Sequence, residues 1–147
     1  MYYITKELNE MPMGHRILGH LGGCGRLHGH NYRMVLTVGS NELNELGFVC
    51  DFSELKAFRA KLGLLFDHRL CLHDKDLLLS MIPLNIVEVH IVRVQYKPTV
   101  ENLTRHWFEL AQAHFEKLSP PIKVLELSVY ETKDAYATSR AHLSEWT

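Results

Sequence analysis

Cysteine is scarce in this chain of 147 residues: Cys24, Cys50 and Cys71 form an odd set with no Cys-x-x-Cys pair. Such a set excludes a disulfide framework and a cysteine-built zinc finger, and it points to a reducing, cytoplasmic address. Charge of one sign is lacking too. Sixteen Lys and Arg face seventeen Asp and Glu for a net charge of −1, with no basic or acidic block. Nucleic acid and anionic membranes are therefore not expected partners. No apolar run approaches the ~20 residues of a membrane helix, and Met1-Tyr2-Tyr3-Ile4-Thr5-Lys6 has no secretory layout. Repeats and low-complexity linkers are missing as well, so one domain over 1–147 is expected.

Histidine, by contrast, is plentiful, with ten in the chain. The most informative stretch is Cys24-Gly25-Arg26-Leu27-His28-Gly29-His30. On a β-strand, His28 and His30 leave the same face, because strand side chains alternate with period two. Tyr32, Met34, Leu36 and Val38 continue that parity, so the two rings sit on an apolar face. Burying a polar ring without a partner is costly. Two readings satisfy the rings: hydrogen bonds to backbone, or a shared cation, for which neutral imidazole is a common ligand. His15, in Met13-Gly14-His15-Arg16, is a candidate third ligand.

The remaining pattern suggests strands and helices in mixed order. Tyr2 to Leu8 reads as a strand running irregularly on toward His15, and the glycine-rich residues 18–26 as a loop. A strand from His28 to Val38 is followed by a turn and a short return strand, Gly47 to Cys50, suggesting a hairpin. Asp51-Phe52-Ser53-Glu54 has capping-box spacing before a helix carrying Leu55, Phe58, Leu62 and Leu65. Residues 74–81 suggest a short helix, and Asn85 to Tyr96 a bulged strand, since its apolar parity shifts. Thr99 caps a long helix ended by Pro120-Pro121, and Ile122 to Thr132 forms a last strand. This order implies an α+β fold with an antiparallel sheet and helices on one face.

Three further features stay open at this level. Glu131 ends the apolar row Leu125, Leu127, Val129, either at a wet rim or placed to bind something. Asp67-His68 is either a helix-end cap or an acid–base pair. Thr99 and Glu101 suit a helix cap and first turn as well as a pocket wall.

In order, Met13-Gly14-His15-Arg16, Cys24 to Tyr32, Gly47 to Phe52, Asp67-His68, Pro98 to Leu103 and Glu131-Thr132 resemble the 6-pyruvoyltetrahydropterin synthase / 6-carboxytetrahydropterin synthase family. The Cys-x-x-x-His-x-His spacing is similar to the bacterial 6-carboxytetrahydropterin synthase branch. Met-Gly-His departs from the commoner Ala-Ala-His or Ser-His, and the stretch from Cys71 to Tyr96 is longer than in the shortest members. The resemblance implies a tunnelling fold: a four-stranded antiparallel sheet backed by two helices, here with an extra strand in the 82–96 region. It also implies trimers around a barrel, stacked as a dimer of trimers, with active sites at subunit interfaces.

For the site, the resemblance implies Zn2+ on His15, His28 and His30, leaving one coordination position open, as catalytic zinc sites do. Cys24 would be the base, with Asp67 and His68 completing the acid–base set. Glu131 would accept from the pterin's amine and ring N–H, with Thr99 and Glu101 nearby. The implied activity is a lyase acting on 7,8-dihydroneopterin triphosphate, giving 6-carboxy-5,6,7,8-tetrahydropterin, acetaldehyde and triphosphate on the route to queuosine. The rival outcomes are triphosphate elimination to 6-pyruvoyltetrahydropterin and a non-catalytic zinc- or pterin-binding protein.

Overall fold

A computed structural model describes residues 1–142, so the last five residues of the expected domain lie outside the described residues. The strands β1 (Tyr2–His15), β2 (His28–Ser40), β3 (Arg69–His73), β4 (Ile91–Val94), β5 (Lys123–Tyr130) and β6 (Tyr136–Arg140) form one sheet. Its order is β4-β3-β1-β2-β5-β6. The pairs β1/β2, β2/β5 and β5/β6 are antiparallel, whereas β1/β3 and β3/β4 are parallel. The four-stranded antiparallel expectation is therefore corrected to a six-stranded mixed sheet.

Two long helices, α1 (Phe52–Phe66) and α4 (Val100–Phe115), cover one face. Leu55, Phe58, Leu62 and Phe66 of α1 meet Leu103, Trp107, Ala111 and Phe115 of α4 over the buried row Tyr32, Met34, Leu36 and Val38. The expected starts hold: Asp51 accepts from Ser53 N at 2.7 Å, and Thr99 accepts from Asn102 N. Capping satisfies N–H groups that have no partner in the first turn.

The irregularity in β1 is a bulge. Its register against β2 shifts between Leu8 and Met11, and the buried parity passes from Leu8 to Met11, Met13 and His15. One inserted residue turns every later side chain to the other face. Without it His15 would face away from the helices.

The other differences have structural causes. Residues 47–50 form no return strand, because both edges of β2 are already taken by β1 and β5. Instead Asn44 Oδ1 accepts from Leu46 N and Phe48 N at 3.0 and 2.9 Å, closing a compact turn. The expected strand over 85–96 is in fact the helix α3 (Leu84–His90) followed by β4. Parallel strands need a crossover, usually helical, and α2 (Leu78–Met81) with α3 supplies it between β3 and β4. Val87 and Ile91 pack there on Leu72, so tertiary contact overrides the β-preference of a Val- and Ile-rich segment. Strand β6, Tyr-Ala-Thr-Ser-Arg, has almost no apolar signal; Ser128 Oγ meets Thr138 Oγ1 at 2.8 Å across it.

Candidate active site

At one end of the sheet His15 stands opposite His28 and Met13 opposite His30, so three imidazoles share one corner of two paired strands. Gly29 lies between the ligands facing the other way, where a Cβ would come within 2.9 Å of Met13 O. Tyr32 forms the floor, with its hydroxyl 3.2 and 3.3 Å from the two ring nitrogens of His15. Burial holds the Tyr32 phenol well above its ordinary value, so it stays protonated.

The ring orientations are set from behind. His15 Nδ1 is 2.7 Å from Pro98 O, just before α4, and His28 Nδ1 is 2.7 Å from Arg26 O. A carbonyl only accepts, so each neutral ring carries its proton on Nδ1 and turns an Nε2 lone pair inward. The two Nε2 atoms are 3.1 Å apart. Two lone pairs at that distance repel unless a proton or cation lies between them. One ligand atom from each of His15, His28 and His30 lies within 4.8 Å of the others. Carbonyls behind imidazoles are the usual outer support of a metal-binding histidine. The donor set therefore fits a cation that prefers nitrogen, with zinc first among several.

Burial drives the His15 imidazole down to about 4, against a raising effect from Pro98 and further lowering by His28 and His30. His30 is lowered too, again chiefly by burial, with Glu131 opposing. Neutral imidazole is the ligating form. Glu131, just beyond β5, is half-buried, and its Oε1 lies 3.5 Å from His15 Nε2 and 3.8 Å from His30 Nε2. The carboxylate thus faces the cluster rather than a rim. With His15 neutral at pH 7, that contact is not an ion pair.

Asp67 and His68 follow α1. The Asp67 N–H closes the helix on Gly63 O, and its side chain turns away to Arg59 and His68. The backbone thus caps the helix while the carboxylate contacts both Arg59 and His68. His68 Nδ1 is 2.5 Å from Asp67 Oδ1, and Arg59 Nη2 is 2.8 Å from Asp67 Oδ2. Partial burial works to raise the Asp67 carboxyl, but hydrogen bonds from Arg59 and His68 outweigh it and hold it below the usual range. His68 has φ +56°, a left-handed backbone uncommon outside glycine, fixed by its N–H on Pro12 O at 2.8 Å. Its ring is 80 % exposed.

A cleft of about 590 Å³ is lined by His30 and His68 together with Gly14, Gly29 and His90, but not by His15 or His28. Cys24, Thr99, Glu101 and Glu131 are not among the described residues that line it. Cys24 is exposed on the single 3-10 turn Gly23–Gly25, whose carbonyl holds Ile17 N at 2.7 Å. Thr99 caps α4 and Glu101 is exposed in its first turn. Burial pushes the Cys50 and Cys71 thiols up to about 11 and about 12, as suits packing residues. Arg16 is committed to the buried Asp76 through two hydrogen bonds of 2.7 and 2.6 Å.

The functional contacts that the sequence did not disclose are Tyr32, the carbonyls of Pro98 and Arg26, and Arg59. Tyr32 alone left a trace, sharing the parity of His28 and His30.

Comparison with known proteins bears on the family and the fold. The family model described as 6-pyruvoyl tetrahydropterin synthase matches residues 3–142. The 6-carboxy-5,6,7,8-tetrahydropterin synthase of Rickettsia typhi is 35 % identical over 130 residues, covering 86 % of this chain and 92 % of that protein. The protein of the same name from Bacillus subtilis is 29 % identical over 120 residues, covering 81 % and 71 %. An uncharacterized protein from Wolinella succinogenes superposes with a TM-score of 0.81 at 23 % identity, covering 96 % of this chain and 98 % of that one. The 6-pyruvoyl tetrahydropterin synthase of Plasmodium vivax does so at 0.72 and 19 % identity, covering 97 % and 100 %. These two likenesses show the fold, a mixed sheet backed by helices. Matched along nearly its whole described length, the chain belongs to the 6-pyruvoyl tetrahydropterin synthase family.

Proposed function

We propose that this protein is a zinc-dependent lyase converting 7,8-dihydroneopterin triphosphate to 6-carboxy-5,6,7,8-tetrahydropterin, with release of acetaldehyde and triphosphate, in the cytoplasmic route to queuosine. The observation that carries the reading is the convergence of three imidazoles, two of which, His15 and His28, have their outer nitrogens committed to carbonyls. The names of the Rickettsia and Bacillus relatives favour the 6-carboxy product over the 6-pyruvoyl one.

His15, His28 and His30 would hold the zinc. When bound, such an ion acidifies oxygen acids, taking water from a pKa of about 15.7 to about 7. The chain's own groups do the rest. His68, with Nδ1 engaged by Asp67, keeps Nε2 free to take and return hydroxyl protons. Cys24 serves as the base for a carbon-bound proton. Glu131 accepts from the pterin's amine and ring N–H, with Thr99 and Glu101 beside it. Cys24 is exposed on its own chain, and in this reading the site is completed across subunits. A homo-oligomer, trimers stacked in pairs, would do this.

The test is incubation of zinc-loaded protein with 7,8-dihydroneopterin triphosphate, with product masses and acetaldehyde measured. A 6-carboxypterin with one acetaldehyde per turnover supports the reading. A 6-pyruvoyl product, or tight zinc with no consumption, overturns it.

A further inference from the structure

Arg59 is a cation on α1, close to the helix side of the bulge in β1. Its Nε donates to Asn9 O at 2.8 Å, and Nη2 donates to Glu10 O at 2.6 Å and to Asp67 Oδ2 at 2.8 Å. The two carbonyls belong to the bulge, where the ladder with β2 is interrupted. The guanidinium is only 12 % exposed. Reaching Asp67, two turns on, takes it across Gly63, where an added Cβ would stand 2.6 Å from Arg59 Nη1. A glycine inside a helix costs about 1 kcal/mol against alanine, and here it leaves the space the arginine occupies.

The geometry points to Arg59 as a positioning residue that fixes the Asp67 carboxylate so that one oxygen is left for His68 Nδ1, with Gly63 as the gap that admits it. The inference rests on the proposed acid–base role of His68. Arg59 binds the same carboxylate oxygen that would otherwise turn to solvent, and it ties the pair to the bulge that sets His15. A lysine offers the charge without the planar fork that reaches three acceptors.

The test is a cycle of Arg59→Met, Gly63→Ala and Asp67→Asn in the zinc-loaded protein, following kcat, KM and the 15N spectrum of His68. Arg59→Met should lower kcat roughly tenfold or more, a part of what general acid–base catalysis contributes, with KM within about twofold. In the Asp67→Asn background it should cost less than about twofold, since both changes then remove one interaction. Gly63→Ala, whose Cβ crowds the guanidinium, should lower kcat and mix the His68 tautomers as Arg59→Met does. Arg59→Lys should recover part of the loss, and it takes over the cycle if Arg59→Met fails to fold. In the wild type His68 should show the Nδ1-protonated tautomer, and Arg59→Met should mix the two. Unchanged kcat, losses additive with Asp67→Asn, or an unchanged tautomer each overturn the inference. If the wild type turns over no dihydroneopterin triphosphate, the reaction is wrong, and the tautomer arm still decides Arg59.

Discussion

The imidazoles of His15, His28 and His30 and that of His68 are held by opposite means. The first three stand on paired strands, half-buried or buried, and the outer nitrogens of His15 and His28 rest on backbone carbonyls. His68 follows a helix, is mostly exposed, and rests on an ionised carboxylate braced by an arginine. A carbonyl behind a ring fixes its tautomer without adding charge, which suits a metal ligand. A carboxylate behind a ring stabilises the protonated ring, which suits proton transfer. The same side chain is thus given two chemistries by what stands behind it.

Removing a ring on the strand side should have the largest effect. His28→Ala is expected to abolish zinc binding at micromolar metal and all turnover, read by metal analysis of the dialysed protein; retained stoichiometric zinc would break the contrast. Cys24→Ala and Asp67→Asn should leave zinc in place and lower kcat by roughly 10²–10⁴, the range of a lost acid–base group.

Acid should separate the two groups further. Unfolded histidine titrates near 6.5, whereas folded His15 is held down to about 4 by burial. Between those values the unfolded chain binds a proton that the fold refuses, so stability present above pH 6.5 is lost as pH falls toward 4. The loss from this group is about 3 kcal/mol in the chelated protein, measurable by urea unfolding across that window. A flat profile from pH 7 to 4 would mean that His15 is more solvated than its 1 % exposure indicates. Asp67 is also lowered, so its own contribution is lost only at lower pH. The smallest effect is expected at Thr99. Thr99→Ala should cost about 1 kcal/mol by loss of a helix cap, with zinc content unchanged, and a lowered zinc affinity would show that the cap also positions the Pro98 carbonyl.

Much of the antiparallel half was legible because its signals are local. Alternation over His28 to Val38, the Asp51 and Thr99 caps and the row ending in Glu131 each need only neighbours along the chain. The β3–β4 side was not, because a five-residue strand and a parallel partner depend on which sheet edge is vacant. The reading of 85–96 as a strand failed for that reason: a crossover was required there, and Val87 found its place on a helix against Leu72. Within the site, the shared face of His28 and His30 was readable from spacing. The carbonyls of Pro98 and Arg26 were not, since every residue carries one and only the fold aims it.

By itself the sequence determined that His28 and His30 share a face, that His15 was available as a third ring, and that Asp67 and His68 fall at the end of the first helix. These follow from the period of a strand and the chemistry of a helix end, which act over a few residues. Only the tertiary structure decided that a bulge turns His15 to the same face, that two Nε2 lone pairs meet at 3.1 Å, and that Arg59 spans from Asn9 and Glu10 to Asp67. Those outcomes depend on register and packing between segments far apart in the chain, where distance in space rather than in sequence sets the energy.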